Sequence, residues 1–122
     1  MTIRETFDAL FRAVTADRDG EAFANLWLVD DPTITMWGSD LDERAIGADA
    51  VRKLGAAIAA SKSELRFAWD DVAVHERGEV AWVNASGRIE VDGAPHPYRV
   101  TGVMLQTFAG WRWHTFHGSV PD

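Results

Sequence analysis

Four segments in the second half of the chain restrict the fold more than any other feature. They are ELRFAWDDVAVH, EVAWVNASGRIEV, HPYRVTGVMLQTF and WRWHTFHGS, with only ERGE, DGAP and AG at the joins. Each is rich in β-branched and aromatic residues, the composition of strands. Such short connections leave no room for a crossover helix, so successive segments must pair antiparallel as a four-stranded meander.

The first half reads differently. Ile3, Phe7, Leu10 or Phe11, and Val14 recur at helical spacing through IRETFDALFRAVTADRD, which predicts an amphipathic helix interrupted at Gly20. EAFANLWL places Phe23, Leu26 and Trp27 on one side of a shorter helix that DDP ends. TITMWG, residues 33 to 38, reads as a short strand, and SDLDERAIG as a turn region up to Gly47. Val51, Leu54 and Ile58 then define another helix ending near Ser61. Helices first and a sheet afterwards is the α+β pattern, with helices covering one sheet face. At 122 residues the chain is expected to form one domain, without linker or internal repeat.

Strand side chains alternate, so parity assigns faces. A tight turn at Ala109 and Gly110 would set Gln106 opposite Trp113, Met104 opposite Thr115 and Gly102 opposite His117. Carried through DGAP, the register sets Gly87, Ala85, Val83 and Ala81 beside Val100, Gly102, Met104 and Gln106. An even turn before them adds Arg66, Asp70, Val72 and Val74. The expected row is therefore Asp70, Ala85, Gly102, His117, an acid and a histidine separated by two very small residues. On a flat sheet the ends would lie about 14 Å apart, a span for a bridging ligand rather than a direct bond. The opposite face collects Phe67, Trp69, Trp82, Asn84, Val103, Leu105, His114 and Phe116. Both faces are apolar, so the one the helices leave bare is expected to pair with a second copy, giving a homodimer.

There is no cysteine, which removes disulfides and thiolate chemistry. The 12 basic residues are scattered in a chain of net charge -7, so neither nucleic acid nor an anionic membrane is an expected partner. No HExxH, paired histidine or phosphate-binding glycine loop is present, and neither a metal nor a cofactor is expected. Charges interrupt every apolar run, and the expectation is a soluble, cytoplasmic protein without a signal or spanning helix.

The order of elements, the stretch LWLVDDPTITMWGSDLDERAIG and the closing WRWHTFHGSVP resemble the SnoaL-like group of the nuclear-transport-factor-2-like (NTF2-like) superfamily. The resemblance covers nearly the whole chain. It implies a cone in which a curved, mostly antiparallel sheet wraps against N-terminal helices around a pocket, and homodimers through the sheet. The superfamily holds ketosteroid isomerases, scytalone dehydratase and polyketide cyclases as well as non-enzymatic association domains. Many relatives close on a tryptophan followed by His-x-His-x-Ser; here His117 and Ser119 match the second histidine and the serine, Thr115 replaces the first histidine, and His114 is out of phase. The DLDER run resembles the mouth region of relatives, where Asp40, Asp42 and Glu43 could gate the pocket. Tyr98, the single tyrosine, lies close to a turn and is not matched to the oxyanion-binding tyrosine of ketosteroid isomerases.

Within this frame His117 is the first candidate acid or base, since an ordinary imidazole titrates near neutrality. Asp70 is its expected catalytic partner, or Asp71 if the strand carries a bulge. Arg66 could hold an anionic group. Trp37, Trp113 and Met104 would enclose a flat apolar ligand, with Gln106 and Thr115 on the same face. Two readings follow: a cofactor-independent isomerase or cyclase moving a proton on a small hydrophobic molecule, and a non-catalytic dimeric binding or association module.

Overall fold

The computed structural model describes residues 1–121. Helix α1, Ile3–Thr15, starts at a reciprocal cap: Thr2 Oγ1 accepts from the Glu5 N–H, and Glu5 Oε1 accepts from the Thr2 N–H at 2.9 Å. The short α2, Gly20–Ala24, is capped by Asp19, whose Oδ1 accepts from the N–H groups of Glu21 and Ala22. Strands β1, Thr35–Trp37, and β2, Arg44–Ile46, precede helix α3, Ala48–Ala59. The meander follows as β3, Leu65–Arg77; β4, Val80–Val91; β5, Ala94–Thr107; and β6, Gly110–Ser119. One six-stranded sheet results, ordered β2-β1-β6-β5-β4-β3, antiparallel throughout except where β1 runs parallel to β6. The α+β class, the N-terminal helices and the mostly antiparallel meander are as expected, though α2 ends before Leu26 and Trp27, both expected within it. Strand β2 replaces part of the expected SDLDERAIG turn.

The hydrophobic stripe of α1 lies on the inner sheet face. Phe7, Leu10, Trp27, Met104 and Trp113 are almost wholly buried there, the packing that an amphipathic helix needs to be stable. The cone closes where the Leu28 N–H donates to the Trp113 carbonyl and the Trp113 N–H to the Leu26 carbonyl.

The β5–β6 turn lies at Phe108 and Ala109 rather than Ala109 and Gly110, a slide of two that sets Gln106 opposite Trp111, and three further features change the expected register. First, β4 and β5 meet through Asp92 and Gly93 alone, both at positive φ (51° and 85°). That two-residue turn matches the strand twist and slides the pairing by two residues, so Gly87 lies beside Tyr98 and Ala85 beside Val100. A slide of two keeps every side chain on its face. Second, β3 bulges between Trp69 and Asp71, opposite Gly87. Phe67 and Trp69 therefore point inward and Arg66 outward, while Val72 and Val74 keep their expected face. Third, the β5–β6 ladder shifts between Val103 and Met104, with His114 the extra residue: Met104 pairs with Trp113 but Val103 pairs with Thr115. Trp111 and Trp113 stay inside, Phe116 and Gly118 join them, and Thr115 and His117 turn outward.

Both irregularities sit at a glycine whose missing side chain makes the room. A Cβ at Gly87 would come within 2.0 Å of the Ala68 carbonyl oxygen, and one at Gly102 within 2.4 Å of the Trp113 ring.

Candidate functional site

The expected row of Asp70, Ala85, Gly102 and His117 is not formed, because the two bulges move its ends off the inner face. Asp70 is exposed and pairs with Arg88 Nη1 at 3.2 Å. Asp71, opposite Ser86, is exposed as well. His117 is exposed, opposite Thr101, with its ring edge-on to Trp37 at 6.2 Å between centroids. Trp37 is itself 43% exposed and carries the Arg44 guanidinium over its ring at 5.4 Å. Arg66 lies beside Glu64 at 3.6 Å. Thr115 is bonded to His114 Nδ1 at 2.7 Å. Gln106 is exposed. Met104 and Trp113 are fully buried core, the indole N–H of Trp113 donating to the Thr6 carbonyl at 3.4 Å. The structure brings Trp37 and His117 together outside the cone and Met104 and Trp113 together in its core; it does not bring His117 to Asp70.

The cavity lies elsewhere, at the open end of the cone between α1, α3 and the inner sheet face. Its volume is about 470 Å³, inside the range of roughly 300–1,000 Å³ usual for small-molecule sites. Leu10, Phe11 and Val14 of α1 form one wall, Leu54, Ala57 and Ile58 of α3 another, and Phe67, Ile89 and Phe116 the floor. The polar part of the lining is Tyr98, Ser61 and the β1–β2 turn, where Ser39, Asp40, Asp42 and Glu43 stand at the mouth.

Local backbone geometry fixes Glu43. The Gly38 N–H donates to the Glu43 carbonyl at 2.7 Å and the Glu43 N–H to the Asp40 carbonyl at 3.0 Å, closing the turn. The side chain folds back over Gly38, where an added Cβ would lie 2.9 Å from Oε2. Oε1 accepts the Asp40 N–H at 3.2 Å. Partial burial raises the Glu43 pKa above the ordinary 4.5; the Asp40 N–H opposes this, and the charges of Asp40 and Asp42 add to the rise. Among the described residues none of these three acids has an ion-pair partner.

Tyr98, 6% exposed, stands on the inner face of β5. Its ring packs on Phe67 at 5.5 Å and its hydroxyl lies over Gly118, in space that a Cβ there would fill. Burial, and secondarily the Glu43 charge, push its pKa up, so it stays protonated at neutral pH. Among the described residues its hydroxyl has no hydrogen-bond partner. Tyr98 shares the parity of Val100, Gly102 and Met104, so one further two-residue step along the sequence would have put it on the inner face. Glu43 offered only the DLDER pattern.

A second polar cluster lies outside the cavity. His114 Nε2 meets Thr33 Oγ1 at 2.8 Å, and Thr33 Oγ1 donates to Asp31 Oδ1 at 2.6 Å. It ties the segment before β1 to the β6 bulge.

The sequence profile of the SnoaL-like domain matches residues 3–122. No curated protein matches the chain. Among solved structures, one assigned as a dehydratase of the NTF2-like family from Streptomyces avermitilis superposes with a TM-score of 0.87 at 22% identity, over 99% of this chain and 94% of the other. One assigned as a calcium/calmodulin-dependent protein kinase type II association domain, from Thiobacillus denitrificans, gives 0.84 at 19%, over 99% and 96%. One assigned as an aromatic ring hydroxylase, from Novosphingobium aromaticivorans, gives 0.77 at 17%, over 99% and 87%. At such identities the likeness is one of fold, and the same fold carries catalysis in some proteins and assembly in others.

Proposed function

The chain belongs to the SnoaL-like domain family, and from that premise we propose that the cavity gated by Glu43 binds a small, largely apolar molecule bearing one polar group. The observation that carries this reading is the pairing of an apolar cavity with two polar side chains, the half-buried Glu43 carboxyl and the unpartnered Tyr98 hydroxyl. Such a cavity gains from burying apolar surface, while the two polar groups select and orient the ligand. They also supply the means for proton transfer as an isomerase or cyclase would use it. A carboxyl with a raised pKa exchanges protons near neutrality more readily than an ordinary glutamate, and a protonated tyrosine can donate to an oxygen on which charge develops. Glu43 and Tyr98 replace Asp70 and His117 as the pair assigned this work.

The test is ligand-observed NMR with a mixture of small hydrophobic ketones, lactones and amines. Ala57, exposed on α3 yet part of the cavity wall, gives a blocking variant, Ala57→Phe. Saturation-transfer signals that vanish in this variant support the cavity as the site; signals that persist place binding elsewhere and sink the proposal. Incubation of bound ligands in deuterated water reads the chemical step, since proton exchange at carbon that Glu43→Gln abolishes is the expected mark of catalysis.

An association reading rests on a different surface. On the outer face Val80 pairs with Leu105 and Trp82 with Val103, and His75 stacks on Trp82 at 5.6 Å. This continuous apolar strip fits a homodimer in which the cavity serves binding alone.

A further inference from the structure

The cavity mouth has an imbalance of charge. Three carboxyl groups, Asp40, Asp42 and Glu43, crowd one short turn, and the lining contains no lysine, arginine or histidine. Two arginines close in sequence or space are engaged away from it. Arg44 follows Glu43 directly but lies over Trp37 on the outer face. Arg18 reaches the lining residue Ser61 only to donate to the carbonyls of Ser61 and Ser63. Like charges at this spacing repel each other, and the apolar wall beside Glu43 denies its carboxylate part of its water.

An acidic turn alone would be an ordinary solvated loop. The second, independent observation is Tyr98: it is 94% buried by its 6% exposure, it lines the same cavity, and its hydroxyl oxygen has no protein partner among the described residues. That oxygen is not among the polar atoms sealed from solvent, so it is open to a hydrogen bond from a molecule in the cavity. Glu43 and Tyr98 together offer hydrogen-bond acceptors, and Phe11, Phe67 and Phe116 offer apolar surface to the body of a ligand.

We infer that the ligand is a small hydrophobic cation, an aromatic or aliphatic body carrying one ammonium group, with its body among Phe11, Phe67 and Phe116 and its charge between Glu43 and Tyr98. An ammonium donates three hydrogen bonds, enough for the Glu43 carboxylate, the Tyr98 oxygen and one water at the mouth. It also relieves the repulsion among Asp40, Asp42 and Glu43. A hydrophobic acid of the same size would meet three carboxylates and no cation, and is excluded. This inference rests on the cavity being the ligand site, as proposed above.

The experiment uses three probes of one skeleton, 4-phenylbutylamine, 4-phenylbutanol and 4-phenylbutanoate, titrated calorimetrically into the full chain at pH 7.5. The amine should bind about tenfold or more tightly than the alcohol, the margin expected of a charge-assisted bond over a neutral one. The carboxylate should not bind. Glu43→Gln should remove the amine's advantage over the alcohol, while Tyr98→Phe, a second variant of the same cavity, should weaken amine and alcohol alike. Alcohol binding as strong as the amine's, or any preference for the carboxylate, overturns the cation inference and leaves the cavity reading in place. Binding by none of the three overturns both.

Discussion

Glu43 carries a sign that can be read in stability as well as in binding. Its raised pKa means that the folded chain favours the protonated carboxyl, first through burial and then through Asp40 and Asp42. The stabilisation this gives is fully present below the unfolded value of 4.5 and is lost as pH rises through the raised one. Glu43→Gln keeps the shape and discards the charge, so its unfolding free energy should match the parent's near pH 4 and exceed it at pH 8. Urea titrations at the two pH values check this; a variant less stable than the parent at pH 8 would show that the carboxylate has a stabilising partner. Asp31 behaves oppositely. The side-chain and backbone bonds from Thr33, with His114 adding a smaller attraction, hold its carboxyl below the ordinary 3.8. Its contribution is present above 3.8 and lost as pH falls further. One acid thus disfavours high pH at the mouth while another disfavours low pH at the β6 bulge.

At the scale of elements, each bulge depends on a glycine in the neighbouring strand. Gly87 lets the β3 backbone close to a distance that no Cβ tolerates, the Ala68 oxygen being 2.0 Å from where one would stand. Gly87→Ala should therefore cost about 1–3 kcal/mol, the range for overpacking a tight site, measured as a lower urea midpoint with unchanged slope. Loss of less than about 0.5 kcal/mol would mean that the bulge relaxes without strain, as at an ordinary surface site. The same two bulges mark the limit of what sequence could tell. Alternation found β3 to β6, and helical spacing found α1 and α3, because each signal is local and repeated. The SnoaL-like resemblance was legible in the closing WRWHTFHGSVP and the DLDER segment. Parity, however, propagates only while the ladder is regular. One extra residue at Asp70 and another at His114 inverted the faces of Arg66 and His117, and with them the expected catalytic pair. Tyr98 lies on an uninterrupted stretch of β5, where parity still held, but its closeness to the turn hid how deeply the cone buries it. Glu43 reaches the cavity by folding over Gly38, a tertiary contact without any periodic signature.

Across the whole molecule the sheet divides two surfaces that can be perturbed separately. The inner face holds the core and the cavity; the outer face holds Val80, Trp82, Val103 and Leu105 as two adjacent cross-strand pairs. Val80 is 41% exposed, and Trp82, Val103 and Leu105 are only partly covered, so a second copy laid sheet to sheet would remove this strip from water. An interface of ordinary size buries about 1,200–2,000 Å² in total, which one sheet face of this length can supply. Sedimentation equilibrium at micromolar concentration should then give about twice the chain mass of 13.5 kDa. Val103→Glu, in the middle of the strip, should return it to the single-chain mass, because a carboxylate buried in an apolar interface has no partner there. A parent chain that already sediments at the single-chain mass would remove the dimer. The sheet lies between the two surfaces, so the dissociated variant should still bind one ligand per chain with the parent's affinity. A joint loss of both properties would mean that the second copy helps to shape the cone, and that the cavity is complete only in the pair.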